Sequence, residues 1–186
     1  MRICALNAKH TRRRMPGANR YASGYRAGLF LILAAFVVAL DQTSKFWVRS
    51  HLDLGEIVPL VGPLSLVHVR NTGSAFGLFA NQAFLLTLIA VVGLVTVLLF
   101  YRYLSRSSLL GSVALGLVFG GAIGNLIDRV RFGYVTDFVD VRLWDDFHWP
   151  AFNVADSAIT VGTIVLVIFI FWALRKGDGS SSGARS

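Results

Sequence analysis

Hydrophobic positions in this chain fall into four long blocks, and the polar positions gather at their ends. Residues 27–40 are apolar, but a membrane helix needs ~20 residues. The first predicted span must therefore take in Asp41 and Lys45 before it closes on Phe46 and Trp47, whose rings suit a membrane interface. Asp41 and Lys45 stand at i and i+4 with the acid first, the order that favours pairing on one helix face. Residues 83–100 predict a second span almost free of polar groups, residues 109–127 a third and residues 154–174 a fourth. The third contains Gly116, Gly120 and Gly124, a repeated small-residue spacing that lets helix backbones approach closely.

The connections are unequal. Residues 101–108 form a short basic loop, whereas residues 49–82 and 128–153 are long and mixed. Residues 58–63 carry two prolines and a glycine and predict a turn region. Residues 64–70 and 132–140 alternate like strands, and residues 71–77 are a turn-rich loop. The pattern predicts an all-α membrane protein with four transmembrane helices and a small extramembrane sheet on the membrane surface. It divides into a basic tail over 1–27, a four-helix domain over 28–174 and a flexible Gly/Ser-rich tail over 175–186.

Composition agrees with that reading. The 186 residues are 55% hydrophobic with mean hydropathy +0.62, above the ~45–50% apolar content of soluble domains. The formal charge of +8 could suggest nucleic acid, but seven of the 18 Lys and Arg residues precede residue 28, next to the first span. Such a tail is a membrane-topology signal, and no nucleic-acid-binding fold accompanies it. The two tails and the 101–108 loop hold 12 of the basic residues against 6 on the other side. Both termini are therefore expected in the cytoplasm, with the two long loops outside. The long basic region, followed by no small-residue cleavage motif, does not read as a cleaved leader.

Cys4 is the sole cysteine, so no intrachain disulfide is expected, and it lies on the side away from the polar clusters. His10, His51, His68 and His148 lack ligand spacing, so no metal is expected. Polar groups at the edge of a membrane span are costly and are functional suspects. At the outward ends these are Asp41 and Lys45, then Asn125, Asp128 and Arg129, then Asp156; Asn71 and Asp137 adjoin them in the loops. Asn125, Asp128 and Arg129 share a helix face, and a structural network is the simplest role for Asp128 and Arg129. Asn153 and Asp156 fit a capping box, so Asp156 is either a cap alone or a cap with a second role. Asp140 reads as a solvated loop acid. Two aspartates held close at a half-dry site share a proton, so that one can deprotonate water while the other protonates a carbonyl or a leaving nitrogen. That chemistry cleaves peptides with no cofactor. A serine mechanism through Ser74 and His68 is the rival, but Ser74 lacks the nucleophile-elbow context.

Five motifs then occur in order: Asp41-Gln42-Thr43-Ser44-Lys45, Asn71-Thr72-Gly73-Ser74-Ala75-Phe76, Gly121-Ala122-Ile123-Gly124-Asn125-Leu126-Ile127-Asp128-Arg129, Gly133-Tyr134-Val135-Thr136-Asp137-Phe138 and Phe152-Asn153-Val154-Ala155-Asp156-Ser157. Over residues 28–174 the chain resembles the lipoprotein signal peptidases (signal peptidase II), bacterial inner-membrane aspartyl proteases. The resemblance implies four membrane helices with a small periplasmic sheet and loop. It implies an endopeptidase that cuts prolipoproteins before the diacylglyceryl-modified cysteine. Asp137 and Asp156 would be the catalytic pair. Asn71, Asn125, Arg129 and Asn153 would line the substrate channel, and Asp41, Lys45 and Asp128 would support the fold. Gly73, Gly121 and Ala155 fall among the binding or supporting positions, with Gly121 and Gly124 allowing close passage. The expected partners are the lipidated precursor and membrane lipid, with the enzyme acting as a monomer. The basic N-terminal tail lies outside these motifs. Two other classes compete: a proton- or ion-coupled carrier using Asp41, Asp128 and Asp156, and a membrane scaffold associating through the glycine face. The second span offers a carrier almost no polar path, and a scaffold leaves the acid cluster without a use.

Overall fold

A computed structural model describes residues 16–73, 83–104, 108–144 and 147–181. Helices α1 (Pro16–His51), α2 (Ala83–Leu104), α3 (Leu109–Phe132) and α4 (Val154–Ser181) are joined by strands β1 (Ile57–Val61), β2 (Leu64–Asn71), β3 (Val135–Trp144) and β4 (Phe147–Phe152). All four helices are long and apolar enough to cross a membrane, as their patterning predicts. The helices outrun their apolar blocks. α1 begins at Pro16, inside the stretch read as a tail, and α4 continues to Ser181, inside the stretch read as flexible. Extending an existing helix costs far less than starting one, so a span carries polar flanks along with it. Cys4, Ser74 and the residues before 16 lie outside the described residues.

α3 is the centre of the bundle and packs on α1, α4 and α2. Lipid is as apolar as a leucine side chain, so close backbone approach has to hold membrane helices together. The glycines of α3 permit it on two sides. A Cβ on Gly120 would lie 2.7 Å from the carbonyl oxygen of Ala34 on α1. A Cβ on Gly121 would overlap the carbonyl of Ala155 on α4, and one on Gly124 would lie 2.6 Å from Asp41 Oδ2. Gly162 of α4 answers from the other side, against the Ala114 carbonyl of α3. The expected glycine face is thus filled within the chain. α3 also runs one turn past Asp128, the expected end, and stops at Gly133 with φ 77°, whose N–H donates to Arg129 O at 3.0 Å. That left-handed position is a helix stop that glycine occupies without strain.

The two long loops build one sheet, of order β1-β2-β3-β4 with antiparallel neighbours. β2 and β3 pair from Leu64↔Val141 to Asn71↔Val135, which sets Asn71 beside the start of β3 and Asp137 opposite Val69. β1 occupies part of the segment read as a turn, and β4 occupies a segment read as plain loop. Both contain a proline, and both lie at a sheet edge, where a missing N–H is tolerated.

The helix contacts make a prediction. Gly121→Ala should lower the thermal unfolding midpoint in detergent, by overpacking worth ~1–3 kcal/mol, although alanine is the better helix former. Gly93→Ala, where a Cβ meets nothing within 4 Å, should not. Equal midpoints for the two variants contradict this packing.

Candidate active site

The polar ends of α1, α3 and α4 meet the inner strands of the sheet at one level. Lys45 is at the base, with 0% of its surface exposed. Its ammonium lies 2.9 Å from Asp41 Oδ2 and 3.3 Å from Asp128 Oδ2, both carboxylates also at 0% exposure. It donates a third bond to Asn125 Oδ1 at 2.9 Å. Asp41 also accepts from the Ala155 N–H at 3.0 Å, tying α1 to the start of α4. Asp128 accepts from the Thr136 N–H at 3.0 Å, tying α3 to β3. Four elements are therefore fixed around one buried cation.

Three asparagines carry this order up to two further carboxylates. An amide can be placed either way round, and here a neighbouring donor settles each one. Lys45 can only donate, so Asn125 turns its oxygen to Lys45 and its NH2 to Asp156 Oδ1 at 2.8 Å. The Gly73 N–H donates to Asn71 Oδ1 at 3.0 Å, which leaves the Asn71 NH2 on Asp137 Oδ2 at 2.8 Å. The Asp156 N–H donates to Asn153 Oδ1 at 2.9 Å, which leaves the Asn153 NH2 on Asp137 Oδ1 at 2.7 Å. Asn153 is fully buried and joins both aspartates.

Asp156 is a cap and more. Its Oδ2 accepts from the Asn153 N–H at 3.2 Å, completing the reciprocal capping box, while its Oδ1 faces Asn125. Asp137, on β3, is 1% exposed. Burial pushes its carboxyl from the ordinary 3.8 up to about 7, and the negative charge of Asp156 adds to the rise. The amides of Asn71 and Asn153, and more distantly Lys45, act in the opposite direction without cancelling it. Asp140, read as a solvated acid, is buried instead, because His148 of β4 folds over it at 2.8 Å.

A cavity of about 920 Å³ opens in front of the pair. Its polar end is Asn71, Gly73, Asn125, Arg129, Asp137 and Asp156. The rest is mainly apolar, with α2 contributing Leu86 to Val97, α4 contributing Ile159 and Val161, and β4 contributing Trp149 to Phe152. The Arg129 guanidinium makes no hydrogen bond or ion pair with another described residue, and the charges of Asp156, Asp137 and Asp128 act on it. Among the described residues, no three His, Cys, Asp or Glu side chains are arranged to hold a metal ion. His68, the other member of the serine pairing, is buried in β2 with Nδ1 2.9 Å from Leu52 O.

The sequence-predicted residues divide by place. Asp137, Asp156, Asn71, Asn125 and Arg129 reach the cavity, with Gly73 at its rim. Asn153 lies directly behind them, and Asp41, Lys45, Asp128, Gly121 and Ala155 lie deeper. Two members of the network were missed. Gln42 Nε2 lies within 3.3 Å of Asp41, Asp128 and the Gly124 carbonyl. Arg49 Nη1 donates to Thr136 Oγ1 at 3.0 Å and lies 3.6 Å from Asp128. Gln42 is an amide inside a span, and Arg49 stands one helical turn beyond Lys45, so both signals were present in the sequence.

The family model for signal peptidase (SPase) II matches residues 33–172. A lipoprotein signal peptidase of Syntrophotalea carbinolica is 48% identical over 144 residues, covering 75% of this chain and 89% of that protein. One of Geobacillus thermodenitrificans is 41% identical over 158 residues, covering 84% and 98%. A bacterial membrane enzyme solved by the in meso method at 2.3 Å resolution superposes with TM-score 0.72 at 32% identity, covering 77% of this chain and 88% of that one.

Lys45→Met removes the cation and leaves Asp41 and Asp128 facing each other, which should cost ~3–5 kcal/mol. A large drop in the thermal unfolding midpoint in detergent is expected. An unchanged midpoint would show that the lysine is dispensable.

Proposed function

We propose, for a chain that belongs to the signal peptidase II family of aspartic peptidases, that Asp137 and Asp156 form the catalytic pair of a lipoprotein signal peptidase. The protein is a multi-pass membrane enzyme that removes signal peptides from prolipoproteins. The observation that carries the assignment is the meeting of two carboxylates, each oriented by fixed amides, at the polar end of a long apolar cavity.

The chemistry follows from sharing one proton. Asp137, the more deeply buried, keeps it below a pH of about 7. Asp156 sits on the N-terminus of α4, where the helix dipole favours negative charge. It is the group placed to take a proton from water. The water oxygen attacks the scissile carbonyl carbon as Asp137 protonates the carbonyl oxygen, giving a neutral gem-diol. Asp156 then passes its proton to the leaving nitrogen, Asp137 recovers one from a diol hydroxyl, and the C–N bond breaks. The pair returns to its starting state with one proton. Arg129, with no hydrogen-bond or ion-pair partner among the described residues, is available to a substrate carbonyl.

The cavity also fits the substrate. A diacylglyceryl chain and a hydrophobic leader belong in the bilayer, so the bond beside the modified cysteine is held near the headgroups. Asp156 stands at the start of α4 and Asp137 on β3, both at the polar end of the apolar cavity. We assign the bond cut to the one before that cysteine. We place the enzyme in the bacterial cytoplasmic membrane, with both termini inside and sheet and site outside, following the 12-to-6 distribution of basic residues.

Asp137→Asn and Asp156→Asn should each lower cleavage of a lipidated precursor by ~10²-fold or more, while each protein keeps its fold by thermal unfolding. Wild type should cut the lipidated precursor in preference to the unlipidated form. Full activity in either variant contradicts the assignment.

A further inference from the structure

The sheet-side wall of the cavity belongs to an edge strand that is held from behind. β4 ends the sheet and, among the described residues, pairs with β3 alone. Its register advances three residues, from Trp149 to Phe152, against two on β3, from Val141 to Val139. The strand therefore bulges at Pro150 and Ala151. A regular strand presents every second residue to one face, but here four in succession, Trp149 to Phe152, line the cavity. The same bulge interrupts the ladder, and Pro150 has no N–H to give it. Backbone pairing is a weak hold on this wall.

A side-chain pair on the other face supplies one. Phe138 of β3 lines a separate groove with Leu66, whereas Asp137 lines the cavity, so alternate β3 residues face opposite ways. Asp140 shares the face of Phe138. It is anchored opposite Ser65 of the inner strand β2. His148 pairs directly with Arg142, and Asp140 is its diagonal neighbour on that face. The ring reaches past Arg142 to bring Nδ1 to 2.8 and 3.0 Å from the two oxygens of Asp140. Neither residue lines the cavity.

We propose that Asp140 and His148 are positioning residues: a clasp that fixes the bulged edge strand and so holds the Trp149–Phe152 wall where the lipidated precursor rests. The inference rests on the reading of the cavity as the substrate site. It acts on substrate binding, because the clasp touches neither Asp137 nor Asp156.

The test is steady-state cleavage, by the full-length protein in detergent, of a synthetic precursor peptide bearing a diacylglyceryl cysteine. His148→Ala and Asp140→Ala should each raise KM about three- to fivefold, the range of a partly exposed pair, with kcat within about twofold. The double variant should be no worse than the worse single one, since both remove one interaction. His148→Gln, whose amide can still donate to Asp140, should recover KM. Trp149→Ala should raise KM on its own. An unchanged KM in Asp140→Ala, additive losses in the double variant, or a fall in kcat at constant KM overturns the clasp. If Trp149→Ala raises KM and the clasp variants do not, the clasp alone fails. If Trp149→Ala also leaves KM unmoved, the substrate reading of this wall fails with it.

Discussion

A lysine ammonium with no exposed surface, where α1, α3 and α4 meet the sheet, is the constraint around which the rest is arranged. A charge there is tolerable only when each of its protons is answered. Asp41, Asp128 and Asn125 answer them, and each is bonded onward to another element. Asp41 holds the first turn of α4 and Asp128 holds the start of β3. Those are the two elements that carry Asp156 and Asp137. The cation also decides which way Asn125 faces, and so which atom meets Asp156. The buried ion cluster and the two carboxylates at the cavity are thus one continuous hydrogen-bonded network.

The glycines make that network possible. Asp41 and Ala155 can meet only where α3 lies close to both α1 and α4, and Gly120, Gly121 and Gly124 are the positions of nearest approach. α2 stays outside this core, packs on α3 and gives its inner side to the cavity. The protein therefore has a closely packed three-helix frame with the candidate site at its head and a fourth helix forming one wall of the cavity. A frame held by polar bonds and close backbones suits an enzyme that must leave room for a lipid-bearing substrate.

Much of this was legible in the sequence, because membrane spans write themselves in apolar runs and because polar residues are rare enough there to be noticed. The four helices and the Asp41–Lys45 pair follow directly from spacing. Asp137 and Asp156 are singled out by motif matching, and both lie at the cavity. The edges of the sheet did not show. Pro59 and Pro150 argue for turns locally, and only the inner strands make them tolerable. Asp140 was misjudged for the same reason, since its burial depends on His148, a residue of the unforeseen strand. Asp156 shows the limit of a local pattern: the capping box was real, yet it accounts for one carboxylate oxygen and is silent about the other.

The central claim is that the two aspartates share a proton because one is buried beside the other's charge. The most direct measurement is the infrared C=O absorption of carboxyl groups, followed against pH in protein labelled with carbon-13 at aspartate side chains. One carboxyl should stay protonated until pH about 7 and should be absent from Asp137→Asn. In Asp156→Asn its titration should move toward acid, since one of the two causes has been removed, yet stay above the ordinary 3.8 because burial remains. Complete ionisation of every aspartate by pH ~5, or a midpoint indifferent to Asp156, would contradict the account.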